Sequence, residues 1–163
     1  MVFSSVIFLF LFLPVVLGVY YLCPRRDARN LWLIAVSLLF YAFSGLWYVL
    51  LLLFSVLCNY IAGLFVSGRK GVLCAAVAVN LGILGVFKYL GFLVQTVDYL
   101  PGVSIPVPSI VLPVGISFFT FQGLSYVIDV YRNERLKSTR FRDVLLYIAL
   151  FPQLVAGPIV RYE

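Results

Sequence analysis

LWLIAVSLLFYAFSGLWYVLLLLFSVLCNYIAGLFV, Leu31 to Val66, is the stretch on which the fold turns. It runs for 36 residues with one internal break, at Ser44 and Gly45. That is too long for one membrane crossing and short for two, since a hydrocarbon core about 30 Å thick takes roughly 20 apolar residues per helix. Two helices of about 18 residues rise about 27 Å each, enough for a slightly thinned bilayer. Parity favours two crossings. Arg25, Arg26 and Arg29 precede the run and Arg69 and Lys70 follow it, and two crossings keep both basic groups in one compartment. Trp32, Tyr41, Trp47 and Tyr48 then fall near the helix ends, where interfacial aromatic rings are expected.

Composition points the same way. With 64% hydrophobic residues, 11% charged residues and a mean hydropathy of +1.11, the chain lacks the polar residues to cover a water-facing surface. Lipid must be its main solvent, and there every backbone amide has to be satisfied within a helix or a closed barrel. Barrel strands alternate polar and apolar residues, whereas these runs are continuous. The net charge of +6 does not mark a nucleic-acid binder. Its basic residues flank apolar segments, the third cluster being Arg132, Arg135, Lys137, Arg140 and Arg142, and no soluble face interleaves them with aromatic rings. They read as positive-inside loops, with anionic headgroups as neighbours.

Working outward, Val2 to Leu22 forms a first apolar segment whose positive charges follow it, so the amino terminus is expected outside. It has no Ala-x-Ala-like cleavage site and is read as a retained helix. Pro14 predicts a kink within it. Val72 to Val94 is the clearest span, with Ala78, Gly82 and Gly85 as a face for close helix approach. Lys88 near its end is read as snorkelling to the interface or, alternatively, as a cavity contact. Gln95 to Leu112, with Asp98, Pro101, Gly102, Pro106, Pro108 and no basic residue, reads as an exported-side loop. Pro113 opens the next helix, which runs inward to Tyr131. Val144 to Val155 begins another apolar element that Pro152 interrupts, with Gly157 and Pro158 close behind. The fold expected is an all-α polytopic membrane protein with about five transmembrane helices and a broken or re-entrant last element. Residues 1 to 163 are read as one membrane domain, incomplete at its carboxyl end.

At 100° per residue, Gly115, Gln122, Ser125 and Asp129 fall within about an 80° arc, with Phe118 and Tyr126 inside or beside it. A polar stripe on a lipid-compatible helix has to face protein or water, because an unpaired buried carboxylate is costly. Two readings stand: an interhelical packing face, or the lining of a substrate or acyl-donor passage. Asp129 also has Arg132 nearby as a pairing partner. The breaks around Gln153 and Gly157 would expose backbone groups to a ligand. Arg161 beyond them is either a donor-phosphate contact or an ordinary arginine at the end of a helix. Cys23, Cys58 and Cys74 read as small buried hydrophobes. With no histidine, no CxxC pair and no close carboxylate set, no metal is expected. Serine and cysteine nucleophiles lack an adjacent base for the same reason.

Four pieces in this order and spacing, VFSSVIFLFLFLPVVLGVYY from Val2, FKYLGF from Phe87, LPVGISFFTFQGLSYVIDVYR from Leu112 and LYIALFPQLVAGPIVRY from Leu146, resemble the amino-terminal third of the membrane-bound O-acyltransferases. The bacterial branch that acetylates exported polysaccharides such as alginate is the nearest in character. The resemblance implies a partial ring of helices thinned at its centre in a bacterial inner membrane. It implies a cytoplasmic acyl donor, acetyl-CoA, a polysaccharide acceptor and a partner acyltransferase on the exported side. It also implies a catalytic histidine, which this chain does not contain, so no residue present is assigned a catalytic role and further chain is expected after Glu163. A multi-pass transporter would instead continue into paired repeats, and a non-catalytic membrane subunit would stop near Glu163.

Overall fold

A computed structural model describes residues 6–89, 92, 94, 96, 112–157, 161 and 162. Among them the chain is all helix and turn, with no strand. A π-helical stretch over Phe8–Phe12 leads into α1, Leu13–Leu22. The disturbance expected at Pro14 therefore lies one turn earlier, as a widened stretch of helix. The next helix, α2, is Arg26–Ala42. It begins five residues before the apolar run, so Arg26, Asp27 and Arg29 belong to its first turns and not to a loop. The break at Ser44 and Gly45 is real, and α3 follows as Leu46–Phe65. After a tight turn, α4 spans Lys70–Leu84 and continues as a π-helical stretch, Gly85–Tyr89.

Phe92, Val94 and Thr96 are helical too, and the Thr96 hydroxyl donates to the Phe92 carbonyl at 2.8 Å. The exported loop proposed around Asp98, Pro101, Gly102, Pro106 and Pro108 lies outside the described residues, as does Pro158. Beyond it come α5, Ile116–Arg132, a 3-10 turn at Glu134–Leu136, α6, Phe141–Ala149, and the short α7, Phe151–Ala156. The break between α6 and α7 falls at Leu150, two residues ahead of Pro152, which sits in the first turn of α7 where its missing amide costs nothing.

Two helices have the length and composition to cross a membrane, Leu46–Phe65 and Lys70–Tyr89; Phe8–Leu22 is apolar but shorter. The expected count of about five is therefore not confirmed by this measure among the described residues. Large apolar side chains stand outward all the same: Trp47 and Leu22 are each 82% exposed and Phe10 78%. A surface of that kind suits lipid better than water.

The packed centre lies where α3 and α4 meet α5, around Leu52, Val56, Phe119, Tyr126, Val127 and Val130, all fully buried. The face that α4 turns inward is Ala76, Asn80 and Leu84. The expected small-residue face of Ala78, Gly82 and Gly85 receives no helix among the described residues, and nothing lies within 4 Å of a Cβ built on Gly82 or Gly85. A second cluster stacks Phe8, Phe12, Phe40 and Phe151, joining the π-helical stretch ahead of α1 to α2 and α7 with ring centroids 5.3 to 6.1 Å apart.

Polar bonds mark two ends of the bundle. At the basic end, Arg142 pairs with Asp27 at 2.8 Å and the Tyr60 hydroxyl donates to the Thr139 carbonyl at 2.9 Å. At the other end, the Tyr41 hydroxyl donates to the Val114 carbonyl at 2.6 Å. Helices α3 and α5 therefore run the same way and α2 runs opposite to both, as parity requires. Two of the rings expected at the interface bond between elements instead: Tyr41 is 2% exposed, and the Trp32 indole donates to the Val16 carbonyl at 3.1 Å.

Candidate functional site

The start of α5 is shaped by Gly115, whose φ of +76° is left-handed and favours glycine. A Cβ there would stand 2.7 Å from the Leu154 carbonyl oxygen, so the first turn of α5 rests directly on the backbone of α7. The position of α7 is fixed from its far side. The Ser37 hydroxyl of α2 accepts the Phe151 amide at 3.2 Å, and the Phe151 ring is locked in the aromatic cluster. Between these constraints lies a narrow crevice, too tight to hold a water molecule, lined by Phe118, Gln122, Ile148, Gln153, Leu154 and Gly157.

Two groups of residues named separately in the sequence, one on the polar stripe and one at the breaks, thus meet in one place. Gln122, 4% exposed, donates from Nε2 to Gln153 Oε1 at 3.5 Å. That is the long limit of a hydrogen bond. A carboxamide carries two donors and an acceptor, so this pair retains capacity for a further polar group.

The other end of the stripe is closed by its own network. The Ser125 hydroxyl donates to Asp129 at 3.2 Å and is also hydrogen-bonded to Tyr147. The Tyr162 amide donates to the same Asp129 oxygen at 3.2 Å. The Tyr162 ring meets Tyr126 and Tyr147 edge-on, each at 4.9 Å. Asp129 is therefore held by Ser125 and Tyr162, and not by Arg132 as its spacing had suggested. Tyr126 is fully buried and turned toward α3, where its ring lies against Gly63. Arg161 is exposed and does not line the crevice.

Two residues escaped the sequence reading. Asn59 of α3 and Asn80 of α4, 0% and 2% exposed, bond to each other through both carboxamides at 3.0 and 2.9 Å. Each also donates its second N–H one turn back, to the Ser55 and Ala76 carbonyls at 2.8 Å. The available signal was a lone asparagine within each of two long apolar runs. A carboxamide there must find a partner, and another carboxamide is the natural one.

Among the described residues no group of three or more His, Cys, Asp or Glu side chains stands together to hold a metal.

Over its whole length the chain is 42% identical to a protein of Azotobacter vinelandii named probable alginate O-acetylase AlgI, of which it covers 35%. It is 42% identical to one of the same name from Pseudomonas aeruginosa, covering 33% of it. Against the peptidoglycan O-acetyltransferase of Helicobacter pylori it is 30% identical and covers 37%. The chain thus spans about a third of the length of the curated relatives it matches. No family model and no solved structure matches it. Along its entire length the chain is thus similar to the amino-terminal part of proteins named alginate O-acetylase, of the membrane-bound O-acyltransferase family.

Proposed function

We propose that this chain is the amino-terminal part of an O-acyltransferase of the bacterial inner membrane. The complete protein moves an acetyl group from cytoplasmic acetyl-CoA toward an exported polysaccharide, handing it to a partner acyltransferase outside. The observation that carries this reading is the identity of 42% along the whole chain to proteins named alginate O-acetylase. In this reading the chain crosses the bilayer about five times with its amino terminus outside, as one membrane domain completed by the rest of the protein. The shared basic end, and the direction of α2 opposite to that of α3 and α5, support that topology.

Acetyl transfer breaks the thioester C–S bond and forms an ester C–O bond. The hydroxyl's proton goes to a general base, and the donor leaves as a thiol. This chain has no histidine to act as that base, so the rest of the protein supplies it. The chain's own share is the wall of the passage: Gly115, Phe118 and Gln122 from α5, with Gln153 and Gly157 from α7. The Gln122 and Gln153 carboxamides offer N–H groups to the acyl carbonyl, where negative charge develops. Ser125 and Asp129, tied to Tyr162, close the stripe below that wall with Tyr126 packed behind them, and Arg161, exposed at that end, meets the donor's phosphates.

Membranes containing the complete protein, supplied with acetyl-labelled donor and acceptor polymer, test this. Gln122→Leu is expected to lower acetyl incorporation at unchanged protein level. Purified residues 1 to 163 are expected to transfer none, and measurable transfer by them alone would contradict the reading.

A further inference from the structure

We infer that the reciprocal Asn59–Asn80 pair is a positioning element: it sets the rotation of α5 and so aims Gln122 at Gln153. The pair has one geometry. All four side-chain N–H groups are donated, two across the helix interface and two to carbonyls of their own helices. Sliding or turning α3 against α4 by one residue would strand buried carboxamides in an apolar interior, which is costly. The α3–α4 seam therefore offers α5 a fixed surface.

Helix α5 reads that surface at two points. Gly123 lies against the Asn59 carboxamide so closely that a Cβ would overlap its nitrogen. One turn on, the Tyr126 ring fills the space over Gly63, where a Cβ would come within 2.5 Å of the ring. Asn59 and Gly63 are four apart on α3, and Gly123 and Tyr126 three apart on α5, so each pair occupies one helix face. Bulk on each helix meets a gap on the other, and this fixes rotation and height together. Gln122 is about 100° around the helix from Gly123. With Gly123 seated on Asn59, Gln122 turns toward α7 and Phe121, 42% exposed, turns away. This holds whatever the crevice binds, so its failure is separable from that of the proposed reaction.

The test is site-directed cross-linking of the full-length protein in its own membranes, with its native cysteines, Cys23, Cys58 and Cys74 among them, replaced by alanine. A short bis-thiol reagent is applied to Gln122→Cys/Gln153→Cys and, separately, to Phe121→Cys/Gln153→Cys. The intact pair is expected to favour the first strongly. Asn59→Leu/Asn80→Leu, which leaves no stranded carboxamide, is expected to lower that preference several-fold, with the Phe121 yield rising. Leu52→Ala, a cavity in the same core, is expected to destabilise without changing the preference. An unchanged preference in the double leucine variant would overturn the inference. Should that variant fail to accumulate, Gly123→Ala decides: a several-fold loss of preference supports the inference, and the wild-type preference overturns it.

Discussion

Two pairs of carboxamides hold different parts of this molecule, and they differ in how completely they are used. Asn59 and Asn80, between α3 and α4, make two mutual bonds of about 3 Å and satisfy their remaining N–H groups within their own helices. Gln122 and Gln153, between α5 and α7, share one contact at 3.5 Å in a narrow crevice. A saturated pair can only hold helices together. An unsaturated one, seated in an otherwise apolar wall, is ready for a ligand's polar group. Side-chain length contributes to the difference: asparagine has little freedom beyond its backbone, whereas glutamine's extra methylene lets it adjust to what enters.

The sharpest way to break this comparison is to remove half of the saturated pair. Asn80→Ala leaves the Asn59 carboxamide buried with two of its three bonds lost. The expected cost is about 1–3 kcal/mol, read as a lower thermal midpoint in detergent, with most of it recovered in Asn59→Leu/Asn80→Leu. An unchanged midpoint for Asn80→Ala would mean the seam is not a lock. Next in size is Gly115→Ala, which places a Cβ on a left-handed residue and against the Leu154 carbonyl. The backbone alone costs about 1–2 kcal/mol, and the Gln122–Gln153 cross-link should weaken as α5 lifts from α7.

Gln122→Leu sharpens the contrast from the other side. It removes one long hydrogen bond, so stability should change by no more than about 0.5 kcal/mol, while acetyl incorporation by the complete protein falls. A large loss of stability would make Gln122 a packing residue like Asn59. The smallest effect is expected from Asp27→Ala. Its pairing with Arg142 is half open to solvent, with side chains 68% and 34% exposed. Such a pair contributes less than about 1 kcal/mol and weakens in salt. A denaturation series at two ionic strengths would check this.

Much of this architecture can be read from residue spacing. The Ser44–Gly45 break, the polar stripe of α5 and the interruption near Pro152 follow from local chemistry, because glycine, proline and 3.6-residue periodicity act over a few residues. The junction of α5 with α7 does not. Gly115 announces a turn, but only the folded chain shows that its missing Cβ admits the Leu154 carbonyl, 39 positions away. The Asn59–Asn80 bond is hidden for a related reason. Each asparagine is visible as an exception in an apolar run, yet nothing local says which way α3 and α4 turn. The choice of Ala76, Asn80 and Leu84 over Ala78, Gly82 and Gly85 as the inner face shows the same limit: small residues permit close approach, but the carboxamide's need for a partner selects the face.

The most direct test of the account is acetyl incorporation into polymer by membranes containing the complete protein with both Gln122→Leu and Gln153→Leu, compared with wild type at equal protein level. If the crevice serves the transfer, incorporation falls by at least about tenfold, the equivalent of roughly 1.4 kcal/mol of lost transition-state stabilisation. Wild-type incorporation with both carboxamides gone would contradict it.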